Sequence, residues 1–116
     1  MPQITVDYSH SVESSFDRQG FALALHPLVA KTADTQLAAC KTRFRRVDET
    51  VVADGTAQAA VVHIAVALLP GRSQEVKAQL SEVVLDLLAE YLRPAGGVAP
   101  VASAEVRDLD ASYRRR

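Results

Sequence analysis

The residue best suited to take part in a chemical reaction is Pro2, which follows Met1 at the start of the sequence. Once the initiator methionine is removed, Pro2 carries a free secondary amine. An unperturbed α-amino group titrates at roughly 7.7–8, so it can act as a base near neutral pH. A structural interpretation stands beside this one. Pro2 would then only rigidify the first residue of a strand, where a missing backbone N–H costs nothing.

Cationic side chains form the second chemically suggestive group. Arg72 lies between an apolar run and a helical pattern, where free backbone N–H groups and a guanidinium fork together favour an anion. Lys41, Arg43 and Arg45 alternate along a predicted strand, so they share one face and repel one another unless an anion or an acid relieves them. These cations favour an acidic ligand. The alternatives are a surface arginine in a turn and an edge strand protected by its charges.

The histidines, the cysteine and the glycine motifs give weaker evidence of a functional site. The three histidines, His10, His26 and His63, have no metal-ligand spacing among them, so no metal site is predicted. Cys40 is interpreted as a buried structural thiol. The sequence contains no phosphate-binding glycine loop and no nucleophile elbow. What remains is an amine base and cations able to hold an acidic substrate.

The composition excludes several classes of protein. The chain has 116 residues, of which 48% are hydrophobic, and this predicts one globular domain over 1–116. Its 13 basic and 14 acidic residues give a net charge of −1, which offers no electrostatic footprint for nucleic acid or an anionic membrane. With one cysteine, no signal-peptide pattern and no membrane-length apolar stretch, we expect a cytoplasmic protein.

Hydrophobic periodicity predicts the elements that position these residues. Strands are expected around 3–8, 40–47 and 59–69, and from Ala104 onward. Helical spacing begins near Val12, and Pro27 predicts a kink or a break there. Residues 48–56 read as an excursion or a hairpin. The run 59–69 is typical of a central strand covered on both faces. A second helix starts after the N-cap Ser73 and stops before Pro94.

The order strand, helix, strand, repeated once, predicts an α+β fold of α/β-like character. Its halves cover about 1–56 and 57–116, and each is a βαβ unit with a crossover helix. Together they make one sheet with two helices on one face. The other face, expected to be rich in Val, Ile and Ala, would be bare and would drive oligomerisation. Alternatively, the long middle segment folds back and covers it. Tyr113 and the arginines after it are expected to form an exposed end.

The chain also resembles a known family. The Met1-Pro2 start, the two βαβ-like halves and the motif 71–73 are similar to the tautomerase superfamily, and within it to the 5-carboxymethyl-2-hydroxymuconate isomerases. Further similar stretches are 47–48, 53–55, 62–63 and 105–109. The likeness covers nearly the whole length.

The resemblance implies a cytoplasmic, cofactor-independent isomerase or tautomerase of aromatic catabolism, assembled as a homotrimer around a central barrel. It implies that Pro2 is the general base for an unsaturated dicarboxylate and that Arg72 binds the substrate. Lys41 stands where an arginine is expected, so carboxylate recognition would be weaker or would involve Arg43. Two alternatives stay open: a non-catalytic oligomeric binding or scaffold relative, and other Pro2 chemistry such as decarboxylation or dehalogenation.

Overall fold

The structure is a computed structural model that describes residues 1–94 and 96–116. It contains four strands and two long helices, with short 3₁₀ turns at His10–Ser15 and Leu37–Ala39. In chain order the elements are β1 (Gln3–Ser9), α1 (Arg18–Thr32), β2 (Lys41–Val47), β3 (Val61–Leu68), α2 (Gln74–Tyr91) and β4 (Val101–Asp108). The sheet order is β2-β1-β3-β4. β1 is parallel to β2 and antiparallel to β3, and β3 is parallel to β4. The predicted α+β fold with two βαβ units on one sheet is confirmed.

Both helices pack on the same face of the sheet. Ile4 and Val6 of β1 and Ile64 of β3 are fully buried there, and they form one core cluster with Phe21 of α1 and Leu80 of α2. Each fully buried large side chain removes apolar surface worth roughly 1.5–3 kcal/mol from water. The helices therefore hold the sheet from one side and fix the position of its strand ends.

Helix α2 follows the predicted apolar stripe. Leu80, Val84 and Leu88 recur every fourth residue and are buried, as expected for a helix with one face on a core. The hydroxyl of Ser73 accepts a hydrogen bond from the backbone N–H of Val76 over 3.2 Å, which caps the first turn. This cap fixes the point at which the chain leaves the turn containing Arg72.

Of the kink or break expected at Pro27, the break is wrong, because α1 runs without interruption from Arg18 to Thr32. Pro27 lies on the exposed side of the helix, and so does Leu23, whose carbonyl would have accepted the missing N–H. Water can satisfy that carbonyl at the surface. The buried side of α1, with Phe21 and Leu25, packs against the core and keeps the helix in place.

The open face of the sheet differs from the sequence prediction in its chemistry. The large apolar side chains of β3 point toward the helices, so this strand is covered on one face of this chain only. On the open face, His63 makes hydrogen bonds to Ser103 (Nδ1 to Oγ, 2.7 Å) and Glu105 (Nε2 to Oε1, 3.1 Å). The guanidinium of Arg45 donates to both carboxylate oxygens of Asp7, over 2.7 and 3.0 Å. The open face is therefore polar, and the expected bare apolar surface is not its main feature.

The connection between β2 and β3 is an excursion and not a hairpin. Residues 48–60 contain no strand, and β1 lies between β2 and β3 in the sheet. Asp54 and Gly55 form a turn, as predicted, with the Gly55 N–H donating to the Val52 carbonyl over 3.0 Å. β4 starts at Val101, three residues before the expected Ala104. In the part of the chain that the structure describes, no helix is long and apolar enough to cross a membrane.

Candidate functional site

One edge of the sheet collects the chemically suggestive residues. β1 and β2 are parallel and both begin there, while β3 and β4 run the opposite way and end there. Pro2 immediately precedes β1, and Lys41 is the first residue of β2. The turn with Arg72 follows the end of β3. We call this side of the molecule the Pro2 edge. The strand directions alone bring these residues together, although they are far apart in sequence.

Pro2 itself is buried at the entrance to β1. Its carbonyl oxygen accepts a hydrogen bond from the backbone N–H of Lys41 over 3.4 Å, which continues the pairing of β1 with β2 by one step. As predicted for the first residue of a strand, the proline leaves no ladder hydrogen bond missing. The backbone of Pro2 is thus held on the sheet, next to the start of β2.

The environment at this edge disfavours a protonated amine. The pKa of the Met1 amino group is lowered from its ordinary value of 8.0, chiefly by burial and then by the positive charges of Arg72, Lys41 and Arg115. The Cys40 thiol acts weakly in the opposite direction. Burial and nearby cations both penalise the charged form of an amine. Burial and these charges would act in the same direction on a Pro2 amine freed by removal of Met1.

Arg72 is held by backbone carbonyls on both sides of the turn. Its Nε donates to Ala33 O over 2.9 Å, Nη1 to Leu69 O over 3.1 Å, and Nη2 to Asp34 O over 3.3 Å. Gly71 has φ near 128°, a conformation that side chains rarely allow, so the turn before Arg72 requires glycine. A guanidinium has five N–H donors, so one N–H on each terminal nitrogen remains for a ligand.

A cleft of about 530 Å³ opens beside this guanidinium. It is lined by Arg72, by Ser73 and Val76 at the start of α2, and by the end of α1 with the residues after it, 32–34. Arg72 and the start of α2 contribute positive charge to the cleft, and Asp34, which also lines it, contributes a carboxylate. Pro2 and Lys41 are not among the residues that line this cleft.

Lys41 and Cys40 begin β2 next to Pro2. The Nζ of Lys41 donates to the carbonyl of Ala39, so the ammonium stays at the Pro2 edge and does not extend along the strand. The thiol of Cys40 is buried and lies 3.7 Å from the carbonyl oxygens of His26 and Gln36. Burial raises the pKa of this thiol, which agrees with a structural role. The nucleophile that Cys40 could have supplied is therefore protonated near pH 7.

Arg43 and Arg45 project from the open face, and each forms hydrogen bonds with a side chain of β1. Arg43 donates from Nη1 to the side-chain oxygen of Gln3 over 2.9 Å. Arg45 is farther from the edge, and its ion pair with Asp7 raises the pKa of the guanidinium. The predicted repulsion among these cations is relieved by neighbours within the chain. Of the three strand cations, Lys41 is the one whose charge acts on the N-terminal amine.

Residues 114–116 are exposed, as expected for this end of the chain, whereas Tyr113 departs from that expectation. Tyr113 is half-buried, and its hydroxyl accepts a hydrogen bond from Gln3 Nε2 over 3.3 Å. Arg115 adds positive charge near the N-terminal amine. No periodicity marks this segment. The available signal was topological, since β4 ends at the same edge from which β1 and β2 start.

A second cleft, of about 410 Å³, lies at the opposite end of β1. It is lined by Asp7, Ser9, His63 and by parts of β2 and the following loop that include Val51 and Val52. It is separated from Pro2 by the length of the strand. Among residues 1–94 and 96–116, no cluster of three or more His, Cys, Asp or Glu side chains is arranged to hold a metal ion.

The sequence of this chain is similar to that of known proteins. The family model described as 5-carboxymethyl-2-hydroxymuconate isomerase matches residues 2–115. The 5-carboxymethyl-2-hydroxymuconate Delta-isomerase of Escherichia coli is 31% identical over 91 residues, which cover 78% of this chain and 72% of the relative. The family match extends over the strands, both helices and the Pro2 edge.

Solved structures with the same fold are also similar. A 5-carboxymethyl-2-hydroxymuconate isomerase from Deinococcus radiodurans R1 has a TM-score of 0.80 at 21% identity, covering 98% of this chain and 88% of that one. A protein described as a W0 fused 4-OT wild-type symmetric trimer has a TM-score of 0.75 at 18% identity, covering 97% and 91%. At these identities the similarity shows the fold alone, and this fold is that of the tautomerase superfamily.

Proposed function

Because this chain belongs to the 5-carboxymethyl-2-hydroxymuconate isomerase family, we propose that it moves a proton between carbons of an unsaturated dicarboxylate or enol. Pro2, freed by removal of Met1, acts as the general base. The observation that carries the proposal is the convergence of Pro2, Lys41 and Arg72 at one sheet edge, where burial and positive charge lower the pKa of the Met1 amino group and would act in the same direction on a free Pro2 amine.

The first step is proton abstraction by the Pro2 nitrogen. A neutral secondary amine has one lone pair, and taking a proton from the substrate converts it to an ammonium ion. The same nitrogen then returns the proton to another carbon of the conjugated system, so the enzyme is unchanged after one turnover. General base catalysis of this kind contributes about 10²–10⁴-fold in rate. No cofactor or metal takes part in the proposed reaction.

The second element is stabilisation of the dienolate that forms as the proton leaves. The N–H groups of Arg72 that do not bond to carbonyls are proposed to hold a substrate carboxylate or carbonyl, with Lys41 supplying a point charge beside it. Fixed cations in a partly dry site stabilise developing negative charge without reorganising. Arg43 is the third proposed substrate ligand, and it would have to exchange its hydrogen bond to Gln3 for one to the substrate.

We further propose that the protein works as a homotrimer. Support comes from the similar fold described as a symmetric trimer and from the face of the sheet that is opposite the two helices. Since that face is polar, its contacts between subunits would use hydrogen bonds and ion pairs in addition to small apolar side chains. Light scattering coupled to size exclusion tests this proposal. A monomer at micromolar concentration contradicts it.

A direct test uses the substitution Pro2→Ala with 2-hydroxymuconate, followed by ultraviolet absorbance. Because an alanine start leaves a primary amine of different geometry, we expect kcat to fall by about 10²-fold or more with little change in folding. The mass of the intact wild-type protein must show that Met1 is absent, since an acylated proline nitrogen has no basic lone pair. Undiminished activity in Pro2→Ala, or full activity in a chain that retains Met1, contradicts the mechanism.

The same measurements separate the remaining functions. A binding or scaffold protein would retain Met1 and would show no turnover that depends on Pro2. Decarboxylation would release carbon dioxide, and dehalogenation of a halogenated analogue would release halide with water taking its place, so in either case mass spectrometry would detect a product whose mass differs from that of the substrate. Simple proton transfer gives an isomer of unchanged mass.

A further inference from the structure

The chain leaves α1 through a residue with a left-handed backbone. Asp34 has φ of 52°, a conformation that residues with a Cβ atom rarely adopt. It follows Ala33, which caps the helix by donating its N–H to Val29 O over 2.9 Å. The N–H of Thr35 then donates to Ala30 O over 3.0 Å. A left-handed residue followed by this hydrogen bond is the Schellman motif, which turns the chain sharply away from a helix end.

This turn presents two successive carbonyl oxygens to Arg72. Its Nε donates to Ala33 O over 2.9 Å and its Nη2 to Asp34 O over 3.3 Å. Carbonyls at the end of a helix have no N–H partner within that helix, and the helix dipole also favours a cation there. The left-handed turn stops α1 at this point, so both oxygens are available to one guanidinium.

The contacts with α1 are what fix the direction of the guanidinium. Its third hydrogen bond, from Nη1 to Leu69 O over 3.1 Å, lies within three residues of Arg72 in the sequence and moves with the same turn. The two carbonyls after α1 come from another element and hold the plane of the fork from a second side. Asp34 and Arg72 line the same cleft of about 530 Å³. The remaining N–H groups of Arg72 can therefore be aimed at a ligand only while the turn keeps its shape.

We propose that Asp34 is a positioning residue, whose left-handed backbone orients the guanidinium of Arg72 for the substrate. This inference rests on the proposed function, in which Arg72 binds a carboxylate or carbonyl. A small misplacement of a group that binds a substrate can reduce the rate by about 10²-fold. The carboxylate of Asp34 has no part in this role, because a negative charge in the cleft opposes an anion. The backbone conformation is what matters, and glycine can adopt it.

The test compares two substitutions that both remove the carboxylate. Asp34→Gly keeps the left-handed backbone accessible, whereas in Asp34→Val a β-branched side chain disfavours it. For 2-hydroxymuconate we expect kcat/KM to fall by about 10-fold or more in Asp34→Val and to stay within about 3-fold of the wild type in Asp34→Gly. Equal losses in the two variants overturn the inference. Asp34→Ala, in which the strain is smaller, should lie between them and replaces the valine variant if that chain does not fold.

Ala53 provides a matched control for backbone strain. It has φ of 54° and lies in the excursion between β2 and β3, outside the cleft that contains Arg72. Ala53→Val introduces the same kind of strain as Asp34→Val, so both should lower the urea midpoint of unfolding. Only Asp34→Val should lower kcat/KM, and Ala53→Val should stay within about 3-fold of the wild type. Equal losses of kcat/KM in the two valine variants contradict a role specific to Asp34.

A double-mutant cycle shows whether Asp34 acts through the arginine. In the Arg72→Ala background, Asp34→Val should lower kcat/KM by less than about 2-fold, because no guanidinium is left to orient. A residue with a purely structural role would lower kcat/KM by the same factor in both backgrounds. That result would overturn the inference.

A last readout does not depend on turnover. The Nε–H of Arg72, observed by nuclear magnetic resonance and assigned by its absence in Arg72→Lys, is bonded to Ala33 O and should exchange slowly with water. Its exchange should be about tenfold faster or more in Asp34→Val and close to the wild type in Asp34→Gly. Unchanged exchange in Asp34→Val overturns the inference and leaves the role of Pro2 untouched. Full activity in Pro2→Ala overturns the proposed function, whatever the exchange rates.

Discussion

The backbone N–H of Lys41 donates to the carbonyl oxygen of Pro2 over 3.4 Å. This contact ties the start of β2 to the start of β1 and brings a lysine ammonium to the residue proposed as the base. The side chain of Lys41 turns back toward the Ala39 carbonyl, so its charge remains at the same edge. The relationship follows from parallel pairing, since both strands begin on one side of the sheet.

Lys41 should control the basicity of the N-terminal amine. Its positive charge lowers that pKa, so Lys41→Gln should raise it and move the rising limb of kcat/KM to higher pH. At pH 7 we expect kcat/KM to fall by about 10–100-fold, because a charged contact to the substrate is lost as well. Lys41→Arg should keep the limb near its wild-type position. Arg45→Gln is the matched control, since that guanidinium is paired with Asp7. The prediction fails if both glutamine variants have the same profile.

Arg72 should contribute to stability as well as to activity. Arg72→Ala leaves three backbone carbonyls without their hydrogen-bond donor. We therefore expect its free energy of unfolding, measured in urea, to be about 1–3 kcal/mol lower than that of the wild type. Arg72→Lys keeps the charge but cannot reproduce the fork, so it should preserve the pH profile better than it preserves stability. Urea titrations and pH–rate profiles of the two variants separate these roles. If the rising limb of the pH–rate profile moves equally in both variants, the positive charge of Arg72 does not control the pKa of the amine.

Cys40 should be inert in the folded protein. Burial raises its pKa above the ordinary value of 9.0, and labelling requires the thiolate. Reaction with dithiobis-nitrobenzoate at pH 8 should therefore be at least about tenfold slower in buffer than in urea, where the chain is open. Rapid labelling of the native protein would show that the thiol is accessible. The variant Cys40→Ala gives the background rate.

Pro27→Ala should stabilise the protein. α1 continues through this residue, so alanine can supply the missing N–H to the Leu23 carbonyl without moving the helix. We expect a gain of about 1–3 kcal/mol in the free energy of unfolding, measured by urea titration. Lys31→Ala, at an exposed site of the same helix with its N–H already in place, should change stability by less than about 0.5 kcal/mol. A loss of stability in Pro27→Ala would show that the proline ring makes a contact the helix needs.

Sequence patterns predicted the elements with strong periodicity. The stripe that includes Leu80, Val84 and Leu88 fixed the buried side of α2, and the cap at Ser73 fixed its start. The parallel pairs β1–β2 and β3–β4 followed from the rule that parallel neighbours need a crossover helix, whereas the antiparallel pairing of β1 with β3 was not predicted. The break at Pro27 was predicted wrongly because packing of the other side of α1 outweighs the loss of one hydrogen bond at the surface.

The open face was misjudged because an almost continuous apolar run hides the difference between large and small side chains. In β3, Val62, Ile64 and Val66 lie under the helices, whereas the alternate positions carry His63 and Ala65. The hydrogen bond between Tyr113 and Gln3, which are 110 residues apart, is not indicated by any local sequence pattern. Such contacts depend on where distant strands end, which sequence periodicity does not encode.

The central claim is that Pro2 is a neutral amine base near pH 7, and the most direct measurement is titration of its nitrogen. Nitrogen-15 magnetic resonance of proline-labelled protein, with Met1 shown to be absent by mass, follows this group alone. Because burial and the cations at the Pro2 edge lower the pKa, we expect the midpoint below the ordinary range of roughly 7.7–8. It should coincide with the rising limb of kcat/KM for 2-hydroxymuconate. A midpoint at or above that range, or one that differs from the kinetic limb, would contradict the account.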